Sequence, residues 1–226
     1  MNFEKDNYIV IKKAIDPKIA YFVYKYFLLK RSVAHTMLKR KYISPYTDYF
    51  GTWSDEQVPN TYSHYADIAM ETLLKEVLPI MEKETALKLI PTYSYARIYK
   101  KGDILRRHKD RFSCEISTTL HLGGDEWPIF IEAKENVGTP EDGFPSATEN
   151  KGNKVILEPG DMLVYKGNLC EHWREEFTGE NCGQVFLHYN NANSPGAEDN
   201  KNDTRPHLGL PSGFRDEEKY PHEDMV

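Results

Sequence analysis

Two hydrophobic periods divide the chain. In the first third, apolar residues recur at helical spacing. Asp16-Pro17 supplies an N-cap followed by a proline at the first helical position, and Ile19, Phe22, Val23, Tyr26 and Phe27 continue as one stripe. A second helix is expected from about Tyr62 to Glu84, with Met70, Leu73, Leu74, Val77 and Met81 on its apolar face and Pro79 kinking or splitting it. Between them, residues 39–60 are rich in turn formers and aromatics and read as a long loop. From Thr92 the period changes to two. TYSYARIY, EISTTLHL, WPIFIEA, NKVILEPG, DMLVYKG and GQVFLHY are short runs bounded by Gly, Pro and Asn, which predicts a many-stranded antiparallel system. The order, helices and then strands, predicts one α+β domain: a helical support region over residues 1–91, a β-sandwich or barrel core over 92–191 with a surface insertion at 135–154, and a polar tail over 192–226.

Composition narrows the class. The 226 residues carry 28% charged and 39% hydrophobic side chains, the balance of a globular chain. Cys114, Cys170 and Cys182 form no C-x-x-C pair, and three is the wrong count for a secreted disulfide framework. No apolar run is long enough for a membrane span and no secretory leader is recognisable, so a cytoplasmic protein without membrane association is expected. The net charge of −6 counts against general nucleic-acid binding.

The polar faces of the strands carry the candidate chemistry. Alternation puts Tyr95, Arg97 and Tyr99 on one face of the first run, Ser117, Thr119 and His121 on one face of the second, and Gln184, Phe186 and His188 on one face of the last. Solvated faces carry Lys and Glu; these residues suit a polar cavity. Between the first two runs lies His108-Lys109-Asp110. On extended backbone, residues two apart point the same way, so one imidazole and one carboxylate reach the same ion. His172, after DMLVYKG and its turn, is the third candidate ligand. Two His and one carboxylate leave coordination positions open, as in non-haem Fe(II) sites. A zinc-type site using His121 or His188 is the alternative. A second H-x-D, His222-Glu223-Asp224, sits in the polar tail and reads as chance. Lys100, Lys101, Arg106, Arg107, Lys109 and Arg111 form a basic cluster around His108, read either as a solvated rim or as a steering patch for an anion. Trp127 and Trp173 are candidates for stacking on a substrate, and residues 44–54 are a candidate lid.

The stretches YARIYKKGDILRRHKDRFSCEISTTLHL, VILEPGDMLVYKGNLCEHWREEF and QVFLHYNN together resemble the 2-oxoglutarate- and Fe(II)-dependent dioxygenases, most closely the prolyl 4-hydroxylase-like branch. The resemblance covers about residues 92–191. It implies a double-stranded β-helix of the jelly-roll or cupin-like kind, with Fe(II) held by His108, Asp110 and His172 and 2-oxoglutarate as co-substrate; ascorbate belongs with that chemistry as an accessory reductant. It implies hydroxylation of a C–H bond in peptidyl proline or a related amino-acid substrate, with succinate and carbon dioxide released. Family members place a basic residue about ten positions after the distal His; here Cys182 and Gln184 stand there. A cation for the far carboxylate must then come from elsewhere. Arg174, two residues beyond His172, is the first choice and Arg97 the second, with Tyr99, Thr119, His121, Gln184 and His188 as neighbours of the co-substrate. A non-catalytic cupin-like metal-binding or sensor protein and a nucleic-acid demethylase are the competing classes. The substrate is expected to be a protein, a peptide or a small molecule, and the oligomeric state is open.

Overall fold

The computed structural model describes residues 2–133 and 151–214. Most of the expected insertion, the tail beyond residue 214 and the His222-Glu223-Asp224 motif lie outside the described residues. Two antiparallel sheets form the centre. The major sheet has the order β1-β8-β5-β10-β3-β2 and the minor sheet β4-β9-β6-β7. Their strands are β1 (Tyr8–Ile11), β2 (Tyr62–Tyr65), β3 (Leu89–Lys100), β4 (Leu105–His108), β5 (Ile116–Gly124), β6 (Ile129–Glu132), β7 (Asn153–Val155), β8 (Met162–Lys166), β9 (Glu171–Arg174) and β10 (Asn181–Asn191). Helices α1 (Phe3–Asp6), α2 (Pro17–Lys39), α3 (Ile68–Glu76) and α4 (Leu78–Thr85) precede β3.

The strand alternation sorts the core. Ala96, Ile98, Leu120, Leu122, Val185, Leu187 and Tyr189 pack with the helices in the largest apolar cluster. Ile129, Ile131 and Val155 of the minor sheet pack with Tyr8, Leu163 and Tyr165 of the major one, which joins the two sheets. The opposite faces of β3, β5 and β10 are thus left to polar groups inside the molecule.

The N-terminal region differs from the sequence expectation in three ways. First, α2 starts where expected, with the Asp16 side chain accepting from Lys18 N–H, but Ile19 and Phe22 are exposed, and the buried side is Ala20, Val23, Tyr24, Phe27 and Ala34. The sheet selects that side because α2 approaches it closely: a Cβ on Gly183 would lie 2.5 Å from the Tyr24 ring. Second, Tyr62–Tyr65 is a strand, not the start of a helix. The helix begins only after Asp67, whose carboxylate caps Ala69 and Met70. Ahead of Pro79 the helical run breaks at Val77 into α3 and α4. Third, β1 and β2 from this region form the two edges of the major sheet, so residues before 92 contribute strands as well as helices.

Candidate active site

Strand register builds the site. β4 and β9 are antiparallel neighbours with His108 directly opposite His172, and the two rings lie 4.2 Å apart. Asp110 follows β4, held by its backbone N–H on Gly167 O at 2.9 Å. Its Oδ1 is 3.5 Å from Nε2 of both histidines, and one ligand atom from each of the three residues lies within 4.8 Å of the others. His108 Nδ1 is 2.7 Å from Arg106 O and His172 Nδ1 is 3.1 Å from Cys170 O. Both Nδ1 atoms therefore carry the proton and both Nε2 atoms are acceptors, the tautomer that metal ligation needs, although the His108 Nε2 here faces the Gln57 amide at 3.0 Å. Burial would raise the Asp110 carboxyl, but His172 and His108 outweigh it and hold it well below the usual carboxylate range. Burial likewise opposes protonation of His108, and Asp110 reverses that and raises it. The donor set suits a divalent transition metal with coordination positions left open.

A cavity of about 360 Å³ opens on this triad. Tyr95, Arg97 and Tyr99 of β3 and Phe186 and His188 of β10 line it, as the alternation predicts. Thr119, His121 and Gln184 do not. They form a buried relay with Arg174: Arg174 Nη2 donates to Thr119 Oγ1 (3.3 Å), Thr119 to Gln184 Oε1 (3.0 Å), and Gln184 Nε2 to His121 Nδ1 (2.8 Å). Arg174 lies behind the cavity wall, where its charge reaches Tyr99 and Tyr165. It is 1% exposed, donates to Trp127 O, and its Nε has no partner. Among the described residues no carboxylate pairs with it; Glu171, three positions earlier on the same strand, is bound by Arg107 at 2.7 Å.

Other candidates are placed differently than the sequence suggested. Arg97, also 1% exposed, pairs with Asp55 and donates to Tyr99 Oη at 3.2 Å, so its charge is already met. Trp127 is buried against Tyr99 and Phe177, with Nε1 donating to Glu175 O; it is core, not a stacking platform. Trp173 lies flat on Phe130 under Arg107 and does not line the cavity. Three of the six basic residues are paired with carboxylates: Lys100 with Asp103, Arg107 with Glu171, Arg111 with Asp203. In the 44–54 segment Tyr46 and Tyr49 are exposed and Phe50 and Trp53 pack on the main core. The loop residues that enter the cavity are the next ones along, Asp55 and Gln57, with Gln57 Nε2 3.0 Å from His108 Nε2.

No protein-family model matches the chain, and no curated protein matches it. Solved structures do. A prolyl-4-hydroxylase from Pseudomonas putida superposes with a TM-score of 0.56 at 11% identity, over 84% of this chain and 95% of that one. SnoN, a non-haem α-ketoglutarate-dependent epimerase from nogalamycin biosynthesis, superposes with a TM-score of 0.59 at 13% identity, over 84% and 81%. HygX from Streptomyces hygroscopicus, with nickel and 2-oxoglutarate bound, gives 0.54 at 13% identity, over 84% and 85%. The chain shares their fold. It is a double-stranded β-helix, with the major and minor sheets as its two walls and the His108–Asp110–His172 cluster between them.

Besides Leu105, five lining residues were not singled out from sequence as cavity residues: Asp55, Gln57, Tyr93, Cys114 and Tyr165. Tyr93 was within reach, since it extends the Tyr95-Arg97-Tyr99 face by one more period of two. The other four depend on how the long loop, the short 3₁₀ turn Phe112–Cys114 and β8 pack, which local spacing does not encode.

Proposed function

We propose that this chain is an Fe(II)- and 2-oxoglutarate-dependent oxygenase that hydroxylates a C–H bond in peptidyl proline or a related amino-acid substrate. The observation that carries this reading is the pairing, within one polar interior, of the His108–Asp110–His172 donor set with a buried arginine that lacks a carboxylate partner among the described residues. Iron, when bound, would let dioxygen oxidise 2-oxoglutarate and the substrate together: one oxygen atom would enter the substrate C–H bond, the other would enter succinate, and carbon dioxide would be released. The chain's own residues do the rest. His108, Asp110 and His172 hold the metal on one side and leave the cavity side open. Arg174, behind the Tyr99 and Tyr165 wall, supplies the positive charge for the far carboxylate of 2-oxoglutarate, because a guanidinium buried without an anion is expensive and a carboxylate nearby restores the balance. Tyr99, between Arg97 and Arg174 in their combined field, orients the co-substrate, with Thr119 and Gln184 fixing the arginine from behind. Tyr93, Tyr95 and Phe186 form an apolar wall for the substrate. Three cysteines, all buried, are too few and odd in number for a secreted disulfide framework, which supports a reducing compartment such as the cytoplasm.

The test is turnover. With iron(II) and dioxygen present, the protein should convert 2-oxoglutarate to succinate, and His108→Ala should abolish this. Arg174→Ala should raise KM for 2-oxoglutarate by about 10- to 100-fold, through the loss of the buried positive charge behind the cavity wall. An unchanged KM would move the role to Arg97. Metal binding with no turnover under any of a panel of prolyl peptides and free amino acids would replace the oxygenase reading with that of a binding protein.

A further inference from the structure

Asp110 has two carboxylate oxygens, and they face two different groups of ligands. Oδ1 faces the imidazoles of His108 and His172. Oδ2 accepts from Ser117 Oγ at 2.8 Å, and the same hydroxyl is 3.0 Å from His188 Nδ1. Cys114, at the end of the 3₁₀ turn Phe112–Cys114, completes this second group. One ligand atom each from Asp110, Cys114 and His188 lies within 4.8 Å of the others. The three come from separate parts of the chain, the segment after β4, the 3₁₀ turn and β10, so the cluster is a product of tertiary packing and not of a local sequence motif.

We propose that Asp110, Cys114 and His188 form a second metal site, for a thiolate-accepting divalent ion of the zinc type, which shares Asp110 with the first. The donor set of one thiolate, one imidazole and one carboxylate is a zinc set, whereas two imidazoles and a carboxylate favour iron. Ser117 Oγ, already in contact with two of the three ligands, supplies a weak fourth oxygen. Access is not a separate requirement: all five side chains, His108, Asp110, His172, Cys114 and His188, line one cavity, so an ion that reaches one group reaches the other. An outer partner for the sulfur is also in place, since Tyr93 Oη lies 3.0 Å from Cys114 Sγ and can donate to a thiolate there. A carboxylate bridging two ions is the usual geometry of two-metal sites, with the ions about 3.5–4 Å apart. The consequence is chemical selectivity within one cavity. A thiolate-accepting ion settles on the Cys114 side and puts a second cation where the cavity would otherwise take an organic ligand. Zinc therefore acts on this protein by adding to the first site as well as by replacing its metal.

Cobalt(II) separates the two sites, because only thiolate coordination gives it an intense sulfur-to-metal charge-transfer absorption in the near ultraviolet. Titration of the metal-free full chain with cobalt should bind two equivalents and develop that band. Cys114→Ser, nearly isosteric with the native side chain, should lose the band and one equivalent. His108→Ala should lose the other equivalent and keep the band. His188→Gln, which leaves the thiol in place, should weaken the thiolate-linked equivalent by about tenfold or more. A single equivalent with no band, or a band that survives Cys114→Ser and so belongs to Cys170 or Cys182, would overturn the proposal. These readouts do not depend on turnover, so they stand apart from the oxygenase reading: that reading can fail while the band and its loss in Cys114→Ser still decide this one.

Discussion

The two arginines at the site are equally buried and differ in one partner. Arg97 has Asp55, and Arg174 has only neutral acceptors among the described residues. That difference, not burial, is what supports the proposal that Arg174 serves an incoming anion. The same environment acts on His121. Burial and then the nearby Arg174 charge lower its pKa to about 4, and Gln184 Nε2 donates to its Nδ1, which requires the neutral ring. The folded state therefore leaves His121 unprotonated while the unfolded chain takes up a proton near pH 6.5. Stability from this residue is full above about pH 6.5 and falls as the pH drops toward 4. Urea unfolding at pH 7 and pH 5 should show a stability loss that shrinks by about 2 kcal/mol in His121→Gln. An identical pH dependence in the variant would place the proton uptake on another group.

At the scale of elements, Asp67 ties two helices together. Its buried carboxylate caps α3 and accepts from Tyr26 Oη at 2.7 Å and from Lys30 Nζ, both on α2. Burial would raise its pKa, but His64 and Lys30 outweigh that and hold it well below the usual range. Its contribution is present above about pH 4 and is lost as the pH falls toward the depressed value. Asp67→Ala should cost about 3 kcal/mol in denaturant unfolding at pH 7, from the lost cap and the charge left on Lys30. Gly183→Ala tests the other contact of α2. A Cβ there meets the Tyr24 ring at 2.5 Å, so the variant should lose about 1–3 kcal/mol, whereas at an open glycine such as Gly102 no such clash arises. These contacts explain which elements were legible. The long alternating strands β3, β5 and β10 announce themselves because each has one apolar and one polar face. β2 does not: YSHY is buried at three of four positions with no apolar period, since its polar side chains find partners inside, such as His64 on Asp67. β1, YIVI, is apolar throughout and too short to separate from a helical segment.

For the whole molecule, the segment after β10 does more than trail from the core. Arg205 and Glu71 form a buried pair at 2.8 Å, and Asp203 holds Arg111, a cavity-lining residue, at 2.9 Å. The C-terminal segment thus braces the cavity from outside. Arg205→Ala should destabilise the protein by about 3–5 kcal/mol, because it strands the Glu71 charge; circular dichroism melting checks this. The clustering of His108, Asp110 and His172 was legible because residues two apart on extended backbone share a side and the third follows a later apolar run; in the structure it lies within β9. Arg174, two positions beyond His172, is buried inside the molecule as that spacing suggests, but it lies behind the cavity wall and not in its lining. Asp55, Gln57 and Cys114 were not legible, because loop packing alone brings them to the cavity. We propose that the metal cluster and Arg174 together hold 2-oxoglutarate. Calorimetric titration of 2-oxoglutarate into the protein, without oxygen and with or without iron(II), tests it most directly. One equivalent should bind only when iron is present, about tenfold or more weakly in Arg174→Ala, and not at all in His108→Ala. Equal binding with and without iron, or none in either case, would contradict it.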